Sequence, residues 1–234
     1  MIRREFNAVC MPALLALLSG VHGRAFALSL ADLSGGDATR GLQAALEQGA
    51  KASVQLLGKT DGFLGNDKVR IPLPSYLNDA SQLLRTFGMG ARLDELVTAM
   101  NRAAEAAVPQ AQELLLNAVK SMNVGDAKKI LSGGDTSVTS FFAEKTRSPL
   151  AERFLPIVSR TTEKVGAAAS YNQVAGKAVE LGLMGKENAS IQHYVTGKAL
   201  DGLYFMIGEQ EKKIRQDPVG TGSALLSKVF GALK

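Results

Sequence analysis

Leu93–Val108 reads LDELVTAMNRAAEAAV, and this stretch sets the fold. Leu93, Val97, Met100, Ala104 and Ala107 recur at spacings of four and three, the 3.6-residue period of a helix with one apolar face. A second row, Val97, Asn101, Glu105 and Val108, flanks that face with polar groups set into it. A helix of this kind buries its stripe against other helices and draws part of its polar row into the interface.

Working outward, the same period repeats along the chain. Asp37 can cap a helix over about 38–57, with Leu42, Leu46, Ala50, Val54 and Leu57 on one side. Ser75 can cap another through Leu77, Leu83, Leu84 and Phe87, stopped by Gly88-Met89-Gly90. Pro109 either kinks the 93–108 helix or opens the next, which runs to about Met122. Short helices are expected near 126–131 and 136–145. Ser148-Pro149 reads as a cap and first-turn proline for a helix to about Val165, bent at Pro156. Helices over 167–181 and 190–215 follow, and an amphipathic one from about Ser223 carries Leu225, Leu226, Val229, Phe230 and Leu233. The expected fold is an all-α, single-domain bundle of about eight to ten helices.

Gly58–Ser75, GKTDGFLGNDKVRIPLPS, breaks the pattern. Val69 and Ile71 alternate, but Pro72 and Pro74 limit any strand to an edge hairpin. A segment of this length with Phe63, Leu64, Val69, Ile71 and Leu73 is expected to be ordered, as a strap packed on the bundle or as a lid or docking loop.

The amino terminus reads as an export signal. Arg3 and Arg4 precede a short apolar run over 8–18, and Ala25-Phe26-Ala27 is a small-x-small cleavage site. The run is shorter than the roughly 20 residues a membrane-spanning helix needs. The expected domains are a signal peptide, 1–27, and one helical domain, 28–234, released into the periplasm. Of the 234 residues, 27 are Lys or Arg, 22 are Asp or Glu, one is Cys and two are His. Removing 1–27 takes away three Arg, one Glu, Cys10 and His22, leaving a net charge of +3 and one histidine. A cysteine-free chain suits an oxidising compartment. A charge this low without a basic stripe argues against a nucleic-acid partner.

The inventory excludes much chemistry. One histidine and no mature cysteine leave no zinc or iron–sulfur site, no HExxH and no Cys nucleophile. There is no P-loop, and no nucleophile elbow accompanies His193. No catalytic residue, metal or cofactor is assigned. The candidate ligand-binding residues are polar groups beside apolar stripes: Arg70; Asn101, Arg102 and Glu105; Tyr171, Asn172 and Lys177; and Asp201 near Lys198. They either form interhelix ion pairs or make the polar end of an apolar cavity, where Arg70, Arg102 or Lys177 would hold an anionic head group.

Several motifs carry a resemblance: LSLADLS at 28–34, GFLGN at 62–66, VRIPLP at 69–74, MNRAAEAAVP at 100–109, FLPIV at 154–158 and KALDGL at 198–203. With these the chain resembles a bacterial exported family known as domain of unknown function 4197, over essentially all of its mature length. The resemblance implies a mostly helical, signal-bearing protein of the Gram-negative envelope, and brings no activity, cofactor or catalytic residue. The functional expectation is a periplasmic, non-enzymatic binding or accessory protein for an apolar or anionic amphipathic ligand such as a lipid. The alternatives are an envelope interaction module acting through the 58–75 loop or the C-terminal helix, and a hydrolase using Glu105 with another acid such as Asp94.

Overall fold

The computed structural model describes residues 35–134, 136–180, 182, 185 and 190–217; the expected signal peptide and C-terminal helix lie outside the described residues. Among the described residues the fold is all helical: α1 (Gly35–Leu57), α2 (Ser75–Thr86), α3 (Gly90–Ala107), a 3-10 turn (Val108–Gln110), α4 (Ala111–Lys120), α5 (Val124–Ser132), α6 (Ser137–Thr162), α7 (Gly166–Glu180) and α8 (Ile191–Gln216). No described helix is long and apolar enough to cross a membrane.

α3, α6 and α8 form the centre, with α1 packed along α8 and α4. Of the expected α3 stripe Leu93, Met100, Ala104 and Ala107 are in the core and Val97 is half-buried, while Leu96 and Ala103 are buried beside them. The same core holds Phe142, Leu150, Phe154 and Val158 of α6, and Val195, Ala199, Leu203 and Ile207 of α8. Gly202 of α8 is a close approach, since a Cβ there would sit 2.8 Å from the Phe63 ring.

Four boundaries depart from the sequence reading. The described part of α1 opens at Gly35, so Asp37 lies inside the helix and not ahead of it. Ser75 is the first residue of α2, whose N-cap is Pro74. Pro109 neither kinks α3 nor opens α4; it forms the 3-10 turn between them. The largest difference is α6, a single 26-residue helix holding Pro149 and Pro156 in its interior. Each proline removes the hydrogen bond to the carbonyl four residues back, on Lys145 and Glu152. Both of those residues are exposed. The buried row Phe142, Thr146, Leu150, Phe154 and Val158 runs uninterrupted on the opposite side.

Residues 58–74 contain turns and extended backbone but no strand, so the ordered-loop alternative holds and the hairpin does not. The segment is a strap whose apolar side chains face inward: Phe63, Val69, Ile71 and Leu73 are buried.

Candidate functional site

The strap needs polar partners for its irregular backbone, and α3 supplies them. Glu105 Oε1 accepts the backbone N–H groups of Phe63 and Leu64, each at 3.0 Å. Asn101 pairs with Ile71 as a β-strand neighbour would: Oδ1 accepts the Ile71 N–H at 2.8 Å and Nδ2 donates to the Ile71 carbonyl at 2.9 Å. Both side chains are buried, where an unpaired backbone amide is costly. Arg102 bridges Glu105 Oε2 at 2.7 Å and Asp61 Oδ1 at 2.8 Å. These two carboxylates hold its guanidinium above its ordinary pKa, mainly through hydrogen bonds.

Local sequence makes the turn possible. Asp61 adopts φ 63°, a left-handed conformation that Asp tolerates better than bulky residues. At Gly62 a Cβ would lie 2.4 Å from the Leu57 carbonyl oxygen, so the chain requires glycine there. Farther along, Tyr194 of α8 donates its hydroxyl to the Pro72 carbonyl at 3.1 Å, and burial raises its pKa.

The other sequence-selected residues occupy separate places. Arg70 is exposed on the strap and adds to the field on Asp94. Asn172 joins α7 to α8, accepting the Ile191 N–H at 2.8 Å and donating to Gln192 Oε1 at 2.9 Å. Asp201 is exposed and ion-paired with Arg147, not with Lys198, which instead lies 5.9 Å over the Tyr194 ring. Lys177 belongs to α7, but its side chain lies outside the described residues. Only Asn101, Arg102 and Glu105 form a cluster. Glu105 and Asp94 stand on one helix, about 16 Å apart along its axis. Among the described residues no group of three or more potential metal ligands comes together.

A concavity lies elsewhere. A groove of about 520 Å³ runs between α2, α3 and α7, lined chiefly by Leu77, Leu84, Leu93, Leu96, Ala167 and Tyr171. Arg92 and Glu95 line it too, and both are exposed. α2 covers it from one side and rests mainly on α3. Extended residues around Pro72 and Pro74 precede α2, and Gly88 at φ 77° follows it. Leu83 is 61% exposed and Phe87 is 73% exposed, so the outer edge of α2 has no apolar cover among the described residues. One ion pair ties its end down: Arg85 grips Asp94 of α3 with both terminal nitrogens. Hydrogen bonding from Arg85 is the main cause of a lowered Asp94 pKa, with the charges of Arg85 and Arg70 adding to it.

A family model described as "Protein of unknown function (DUF4197)" matches residues 32–231. The chain belongs to this family. No curated protein and no solved structure matches it. The family description assigns no chemistry, so the geometry must carry the functional argument.

Sequence reasoning selected one groove residue, Tyr171, and missed Leu77, Leu84, Arg92 and Glu95. The amphipathic pattern of α2 was visible in the sequence. Which helices its apolar face would meet was not, because nothing local encodes that contact.

Proposed function

We propose that the chain is a non-enzymatic binding protein of the bacterial envelope that holds an apolar or amphipathic ligand in the α2–α3–α7 groove. The groove itself carries this reading: its volume falls in the range of ligand sites, four leucines with Met89 and Ala167 give it an apolar wall, and a few polar groups sit beside them. The Asn101–Arg102–Glu105 cluster is not part of this site, since strap backbone and Asp61 occupy its hydrogen-bonding groups. Export is part of the proposal and rests on Arg3, Arg4, the apolar run and the Ala25-Phe26-Ala27 site. Mass spectrometry of protein from the periplasm of its host is expected to give the mass of residues 28–234.

The binding test uses N-phenyl-1-naphthylamine, which fluoresces in apolar sites. Saturable binding is expected, together with its loss in Leu84→Arg, which places a charge in the groove while helicity is kept. Absence of probe binding by the native chain would overturn the reading. A second reading, an interaction module, draws on exposed Leu83 and Phe87. The 58–75 loop gives it no support, because its apolar side chains face the core.

A further inference from the structure

We infer that the groove takes a single-chain zwitterionic phospholipid, a lysophospholipid with an ethanolamine or choline head. This rests on the groove being a ligand site. Three observations select the class. The first is size. At roughly 30 Å³ for a group about as large as a water molecule, 520 Å³ holds about seventeen such groups. That matches one alkyl chain of ordinary membrane length, whereas a two-chain lipid would leave its second chain in water.

The second is charge. Arg92 and Glu95 line the groove and are exposed, and among the described residues neither side chain has a hydrogen bond or ion pair. Arg85 and Asp94 beside them are already paired with each other. Arg92 and Glu95 are three residues apart on α3, so their Cβ atoms are about 5–6 Å apart. A phosphate and an ammonium separated by a two-carbon link present the complementary pair of charges at a similar spacing. Guanidinium suits phosphate, and carboxylate suits ammonium.

The third is what the charge pair disfavours. A fatty acid would satisfy Arg92 and bring a second carboxylate toward Glu95. An anionic lysolipid would do the same with its phosphate and leave Glu95 without a cation.

The test is competition against N-phenyl-1-naphthylamine on the full chain, below micelle concentrations. The competitors are lysophosphatidylethanolamine, a fatty acid of equal chain length, lysophosphatidylglycerol and a short two-chain phosphatidylethanolamine. Lysophosphatidylethanolamine is expected to displace the probe at concentrations about tenfold lower than the others. Arg92→Gln and Glu95→Gln should each weaken that lysolipid by about five- to tenfold, and change binding of the uncharged probe by less than about twofold. Both positions are exposed, so folding is expected to survive, and circular dichroism checks it. Equal or better displacement by the fatty acid or the two-chain lipid would overturn the inference and leave the groove reading standing. So would variants that leave lysolipid affinity unchanged. Failure of the probe and of every amphiphile to bind would remove both.

Discussion

The strap and α2 follow one another in the chain and invert the usual link between regularity and anchoring. The strap has no repeating backbone, yet its apolar side chains are buried and α3 side chains take up its amides at Phe63, Leu64 and Ile71. α2 is a regular helix of 12 residues whose amides beyond the first turn are bonded within it, and it leaves Leu83, with Phe87 at its C-cap, in solvent. A segment that must borrow hydrogen-bond partners is tied to whatever lends them. One that supplies its own is held only by its packing. The strap is therefore expected to open with the whole protein, and α2 before it.

Deleting residues 60–73 tests the strong half of that contrast and should have the largest effect. It removes Phe63, Val69, Ile71 and Leu73 from the core, and takes from Asn101 and from Glu105 Oε1 the strap backbone groups they bind, so cooperative folding should be lost. A deletion variant with native helicity and a sharp thermal transition would break the contrast. Next comes Glu105→Ala, which leaves two strap amides unpaired and Arg102 with Asp61 as its one carboxylate partner. A loss of about 2–4 kcal/mol is expected, seen as a fall of roughly 5–15 °C in Tm. Glu105→Gln keeps one acceptor oxygen and should recover part of this loss. Gly62→Ala should cost about 1–3 kcal/mol, because the new methyl meets backbone carbonyls of α1 that cannot rotate away.

The sequence carried the bundle well, because burial of a helix face writes a 3.6-residue period that survives in residues such as Leu93, Val97 and Met100. It also marked Asn101 and Glu105 as polar groups drawn into an apolar row. Their partners could not be read, because those partners are main-chain amides and every residue but proline has one. Only Gly62, required by a close approach, and the prolines at 72 and 74 hinted at an unusual backbone. At Pro149 a local rule misled: proline favours a first turn, yet here it sits inside α6, half-buried beside the buried row that holds the helix in place. The groove was the least legible, since it exists where three separate helices fail to close up, and no window of sequence contains it.

The weak half of the contrast is tested by Ser81→Pro, in the middle of α2. An interior proline costs a helix about 3 kcal/mol, enough to unfold α2 if its packing is slight. The expected result is loss of hydrogen-exchange protection over 77–86 and loss of probe binding. Tm should move by less than about 2 °C, since the core lies outside α2. Tm falling as far as in Glu105→Ala would place α2 within the cooperative core.

The smallest effect is expected at the ion pair between α2 and α3. Arg85 depresses the Asp94 pKa, so the folded pair binds protons less readily than an isolated carboxyl. Its support for α2 is present above the ordinary carboxylate pKa of about 3.9, and is lost as pH falls through the lowered value. Both side chains are well exposed, so water and salt screen them and the effect should stay local. Hydrogen exchange over 77–86, corrected for intrinsic rates, should show less protection near pH 2–3 than at pH 6. Arg85→Ala should abolish that difference and lower protection at pH 6 toward the acid value. Salt at about 1 M, where the Debye length is near 3 Å, should act in the same direction at pH 6. The strap amides of Phe63, Leu64 and Ile71 should hardly respond to Arg85→Ala, because Arg85 makes none of their hydrogen bonds. If protection of α2 and of the strap fell together in Arg85→Ala, the two segments would be one cooperative unit. α2 could not then move to admit a ligand without loosening the strap that Glu105 and Asn101 hold.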